Sequence, residues 1–101
     1  MNTAGVMITF ELRLKPEAVS GFLDAVPHLI KESAEFNGFR SIRVVQHNED
    51  PARILLVELW DSEAAYRSYI AWRTERGDMD NLAQLTISTE ANVWSNFIAQ
   101  I

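Results

Sequence analysis

Tyr66, Tyr69, Trp72 and Arg73 stand at spacings i, i+3, i+6 and i+7, positions that share one broad face of a helix. Three aromatic rings beside a guanidinium could stack on a planar substrate while the cation holds an anionic oxygen. The same four side chains could equally fill a core, with Arg73 stretching its head towards water. Trp60, at the end of an apolar run, is a further aromatic that could wall a substrate site or anchor a core. His47 is a candidate base, because imidazole titrates near neutrality. It adjoins the turn-forming Asn48-Glu49-Asp50-Pro51, where a solvated surface histidine also belongs.

Other polar residues carry weaker signals. His28 and Glu32 form an i, i+4 pair, which is two metal ligands without a third. Glu11, Arg13, Arg43 and Glu58 are charges within strand-like runs, and Glu58 stands out as a possible buried acid. Asn92, Trp94 and Asn96 alternate as one strand face would, either lining a polar pocket or lying on an exposed edge. The sequence has no cysteine, which removes disulfides, thiolate nucleophiles and thiolate metal sites. Nucleophile elbows, phosphate-binding glycine loops and zinc motifs are missing too.

These residues need a scaffold, and its size is bounded. The 101 residues fit a single domain over 1–101, able to bury roughly 65% of its unfolded surface. With 48% hydrophobic and 23% charged residues the composition is globular. A net charge of −5 argues against nucleic acid or an anionic membrane as partner, since both call for a basic surface. No apolar run approaches the roughly 20 residues of a membrane span, and no signal peptide is visible at Met1–Gly5. A cytoplasmic protein is the expectation.

Apolar residues alternate from Val6 to Leu14, which predicts a strand. From Val19 the period lengthens through Phe22, Leu23, Val26, Leu29 and Ile30, predicting an amphipathic helix kinked near Pro27 and ended by Asn37-Gly38. Phe39 to His47 reads as a second strand, with Ile42 and Val44 on one side and Phe39 and Val45 on the other. Arg53 to Trp60 is apolar at nearly every position, as a central strand would be. Asp61-Ser62-Glu63 offers an N-cap for a helix that Gly77 breaks, and Asp78 to Leu85 reads as a further short helix. Glu90 to Ile101 alternates again and predicts the last strand.

The order is β-α-β-β-α-β with one extra helical piece: an α+β, ferredoxin-like chain with a four-stranded antiparallel sheet and its helices on one face. The other sheet face is left with Leu55, Val57 and Leu59. An exposed apolar face of that kind calls for a partner, and two copies packed sheet to sheet as a homodimer would cover it. In a monomer the stems of Arg13 and Arg43 would have to do so.

The stretch from Leu55 to Tyr66, together with Phe36-Asn37-Gly38-Phe39, resembles two junctions of antibiotic biosynthesis monooxygenase domains. The likeness spans roughly residues 6 to 85. It implies a dimeric α+β barrel and, as in some members, oxidation of a quinol or polyphenol by molecular oxygen with no cofactor. Such chemistry asks for a dry aromatic pocket, a group that takes a phenolic proton and a polar group that steadies the resulting anion. For such chemistry the residues singled out above make His47, Tyr69 and Arg73 the candidate catalytic residues, and Trp60, Tyr66, Tyr69, Trp72 and Arg73 the candidate substrate contacts, with no catalytic His carried over from the family. The heme-degrading branch carries an Asn on the first strand, a Trp on the second helix and a His after it. Here Val6–Leu14 lacks Asn, Tyr69 stands at the Trp position and no His follows His47. The fold would equally suit a non-catalytic dimer that binds a small aromatic ligand, or an isomerase or lyase.

Overall fold

The computed structural model describes residues 4–99. Strand β1 (Val6–Leu14) leads through a single 3-10 turn at Pro16–Ala18 into helix α1 (Val19–Ala34). Strands β2 (Phe39–Gln46) and β3 (Arg53–Trp60) follow, then helices α2 (Glu63–Glu75) and α3 (Asp78–Leu85), then strand β4 (Thr86–Trp94). The strands lie in the order β2-β3-β1-β4, every neighbouring pair antiparallel. This is the ferredoxin-like α+β arrangement that the periodicity predicts.

Each boundary has a local cause. Pro16 starts the turn where its missing N–H costs nothing. The Ser62 hydroxyl accepts the Ala65 amide at 3.1 Å and so caps α2. Helix α1 runs continuously through Pro27. It ends at Ala34, ahead of Gly38, which takes a left-handed φ of 90° in the turn to β2. A Cβ at Gly38 would sit 2.5 Å from that of Ala65, so the glycine also lets this turn lie against α2.

The alternating side of β1 (Val6, Ile8, Phe10, Leu12 and Leu14) is buried beneath the helices, as are Ile54, Glu58 and Trp60 of β3. Pairing of Met7 with Leu59, Thr9 with Val57 and Glu11 with Leu55 puts those three β3 residues on the opposite face. There Leu55, Val57 and Leu59 are only half-buried, while Val45 of β2 and Trp94 of β4 are exposed.

Two expectations need correction. Phe39 does not share the outer face with Val45. The ladder slips between Phe39 and Ser41, leaving Arg40 as an extra residue, and Phe39 pairs with Trp60. Such a bulge reverses the alternation on one side of it, so Phe39 packs edge-on against Trp60 at 5.5 Å. The last strand is also displaced: it spans Thr86–Trp94, not Glu90 to Ile101, whose final two residues lie outside the described ones. Its extent follows its partner, since Trp94 pairs with Met7 and Thr86 with Leu14 at the two ends of β1. Asn96 therefore lies beyond the strand that holds Asn92 and Trp94. Among the described residues no helix is long and apolar enough to cross a membrane.

Candidate functional site

The helix-covered side of the sheet is divided. Around Trp60 it is solid: Phe36, Phe39, Tyr66 and Tyr69 surround the indole with ring centroids 4.7 to 6.2 Å away. Trp60 is completely buried, and Tyr66 nearly so. Burial raises the Tyr66 phenol above its ordinary pKa, with the Glu58 carboxylate adding to the shift. Neither residue lines the cavity that lies further along the sheet.

Further along the sheet, beneath α1 and α3, lies a cavity of about 520 Å3. Phe10, Leu12, Val44 and Leu56 form its apolar floor. Ala18 of the 3-10 turn and Gly21 and Ala25 of α1 line it with small side chains beside the larger Phe22, Val26 and Leu29, and α3 closes another side with Met79, Leu82 and Leu85. A Cβ added at Gly21 would meet nothing within 4 Å.

Buried polar groups enter this cavity at two places, and the exposed side chains of Glu17 and Asn81 border it as well. Glu58 projects from β3 and is 3% exposed. The Trp60 indole N–H donates to its Oε1 at 3.0 Å and is its one hydrogen-bond partner among the described residues. Burial lifts the Glu58 carboxyl above its ordinary pKa, opposed by the Trp60 hydrogen bond and the charge of Arg73. A carboxylate so raised makes a better proton acceptor than an ordinary surface glutamate.

The second place is a network around Arg73, which is 5% exposed. Its Nε donates to the Tyr69 hydroxyl at 2.9 Å. Nη1 donates to Glu32 at 2.9 Å and to Asp78 at 3.0 Å. Nη2 donates to the Leu29 carbonyl at 3.0 Å and to Ser33 Oγ at 3.2 Å. A guanidinium has five N–H groups, and here each has an acceptor. Ser33 donates to the Leu29 carbonyl at 3.0 Å, so the 2.8 Å contact between Ser33 and Tyr69 takes the Tyr69 proton. Burial works against the charge on Arg73, but hydrogen bonds with Tyr69, Asp78 and Glu32 outweigh it and hold the group protonated. Glu32 is held down at about 2 by hydrogen bonds from Arg76 and Arg73.

Of the residues that the sequence singles out, Tyr69 and Arg73 meet at this cavity. Trp72 packs beside it against Phe36 and Tyr69, with the Arg76 guanidinium 4.5 Å above its ring. His47 lies apart, exposed in the β2–β3 turn, where Nδ1 accepts the Glu49 and Asp50 amides at 3.0 and 3.2 Å. It borders a separate hollow of about 250 Å3 that also touches Glu11, Arg53 and Leu55. His28 reaches to 3.7 Å from Glu32, which is already engaged by two arginines.

Sequence reasoning noticed Glu58 without assigning it to the site. The signal was the inward alternation Ile54, Leu56, Glu58, Trp60, in which Glu58 is the one charge. Ser33, Asp78 and the wall formed by α3 were missed, because they meet the site only through the packing of separate helices.

A family model for antibiotic biosynthesis monooxygenase matches residues 5–74. Solved structures share the fold along nearly the whole chain. A conserved protein from Methanosarcina mazei Go1 superposes with a TM-score of 0.83 at 22% identity, covering 94% of this chain and 95% of its own. A putative antibiotic biosynthesis monooxygenase from Deinococcus radiodurans gives 0.83 at 18% identity, covering 95% and 96%. SnoaB, a cofactor-independent oxygenase from Streptomyces nogalater, gives 0.80 at 14% identity, covering 93% and 94%. No curated protein sequence matches the chain.

Proposed function

The chain belongs to the antibiotic biosynthesis monooxygenase family, and from that premise we propose that it oxidises a quinol or polyphenolic aromatic with molecular oxygen, without a cofactor. The observation that supports this reading is a buried carboxylate of raised pKa, Glu58, opening into an apolar cavity of about 520 Å3. A cavity of that volume suits a ligand of two or three fused rings.

In this reading Glu58 takes a proton from the substrate. The electron-rich anion then adds oxygen at a ring carbon that still bears one hydrogen, Glu58 returns its proton to the peroxide, and water leaves. One oxygen atom ends as a new carbonyl and the other as water; the two hydrogens lost are the hydroxyl proton that Glu58 accepted and the one on that carbon, which leaves as the O–O bond breaks, and no external reductant is needed. Tyr69 offers its ring as a stacking wall. Arg73 fixes the Tyr69 hydroxyl and joins the three helices, its N–H groups being committed to protein acceptors.

The protein acts as a homodimer in this proposal, joined through the sheet face that carries Leu55, Val57 and Leu59. What supports the pairing is the incomplete burial of those three residues and the exposure of Val45 and Trp94 beside them. Sedimentation at micromolar concentration tests it, and a single monomeric species would end the idea.

Oxygen uptake with naphthols, anthrones and quinols in chelator-treated buffer tests the chemistry. Turnover above autoxidation that is lost in Glu58→Gln supports the proposal. Tight binding without turnover would instead favour a ligand-binding protein.

A further inference from the structure

The charge arrangement of the cavity narrows what can enter it. Four lining residues carry charge: Glu17, Glu58, Arg73 and Asp78. Three are acids. The cation among them, Arg73, is spent: two carboxylates lie 2.9 and 3.0 Å from its Nη1, and its remaining N–H groups end on Leu29, Ser33 and Tyr69. The Tyr69 and Ser33 hydroxyl protons are used inside the same network. An incoming anion therefore finds no free donor from these groups and meets carboxylates instead; the remaining side-chain donor of the lining is the exposed amide of Asn81, which is neutral. Burying such a charge unpaired costs far more than burying a hydroxyl. An uncharged hydroxyl, by contrast, finds the second oxygen of Glu58, which has no protein partner among the described residues.

We infer that this cavity selects uncharged hydroxyaromatics and rejects their carboxylated counterparts, Glu58 holding the hydroxyl and the Glu32–Arg73–Asp78 network withholding the cation that an acid would need. The inference deepens the proposed oxygenase reading and rests on the same cavity. It is the reverse of what an arginine in an aromatic site suggests at first, because the arginine is neutralised from within.

The test is equilibrium binding without oxygen, so that turnover plays no part. A naphthol carrying a carboxylate on the opposite ring is compared with its methyl ester, which has almost the same shape and no charge. Tryptophan fluorescence or calorimetry reads the two dissociation constants at neutral pH. The ester is expected to bind about tenfold or more tightly than the acid, the scale of a desolvated like-charge encounter. In Asp78→Ala one Arg73 N–H is released and one repelling charge removed, and the preference for the ester shrinks several-fold. An acid that binds as well as the ester overturns the inference, as does a cationic aminomethyl analogue that outcompetes both. Should Asp78→Ala fail to fold, the ester-to-acid ratio of the unaltered protein still decides the matter. The expected ratio with no oxygen uptake leaves this inference standing and ends the oxygenase reading. Oxygen uptake with equal affinities does the opposite.

Discussion

At one end of the helix-covered sheet Trp60 is fully enclosed by Phe36, Phe39, Tyr66 and Tyr69. At the other, Phe10, Leu12 and Leu56 face about 520 Å3 of open space below α1 and α3. Both regions use inward residues of the same strands, so the sheet does not cause the difference. The helices do: α2 presents rings that interlock, whereas the cavity is bordered by Gly21 and Ala25 of α1 and by Ala18 of the turn before it. Aromatic residues suggest a binding site, yet here most of them make the solid part. Small residues border the hollow alongside Phe22, Val26 and Leu29, and one buried carboxylate, Glu58, stands at the boundary between the two regions.

If the two ends differ in this way, truncations should separate them. Trp60→Ala leaves a void in a filled region and is expected to destabilise by about 3–5 kcal/mol, while Leu56→Ala, already beside open space, should cost only about 1–2 kcal/mol. Urea unfolding gives both values, and equal costs would erase the distinction.

Glu58→Gln addresses the boundary itself. Turnover should fall about a hundredfold or more, as for loss of a general base, measured by oxygen uptake. The carboxyl is raised in the folded state, so its contribution to stability is full at low pH and is lost as pH rises through the folded value. Glu58→Gln should therefore gain melting temperature relative to the unaltered protein at pH 8 and lose that advantage near pH 4.

The Arg73 network predicts the opposite pH dependence. Glu32 is held at about 2, below its ordinary 4.5, so its stabilisation is present above about 4.5 and fades as pH falls towards 2. Glu32→Gln should cost about 1–3 kcal/mol at pH 7 and progressively less in acid, as thermal unfolding across pH would report.

The smallest effect is expected at the cavity wall. Gly21 is helical and an added Cβ has open space around it, so Gly21→Ala should stabilise by about 0.5–1 kcal/mol. A loss of stability there would mean that the wall is packed after all.

The strand order was legible because period-two and period-3.6 patterns change sharply at Pro16, Gly38 and Ser62. Two features were not. The bulge at Arg40 leaves no mark in composition, and the start of β4 depends on where β1 supplies pairing groups. At the site, the helical spacing of Tyr69 and Arg73 identified two residues at the cavity. The same spacing could not tell that Tyr66 and Trp72 pack elsewhere, since that depends on how α2 rotates over the sheet. His47 was chosen for its titration range, a property of the isolated side chain, whereas its two backbone hydrogen bonds arise only in the folded turn. Glu58 shows the converse. A glutamate is ordinary until its register places it under a helix.

The extra residue at Arg40 sets a parity for the start of β2. With it, Phe39 points at Trp60; with one residue fewer, the same phenylalanine would emerge on the opposite side of the sheet, away from the rings that enclose the indole. Chain length is thus the constrained quantity at this position. Exchanging the side chain at Arg40 leaves the count unchanged, but deleting the residue would open a gap beside Trp60 and place a bare ring in water with a single edit.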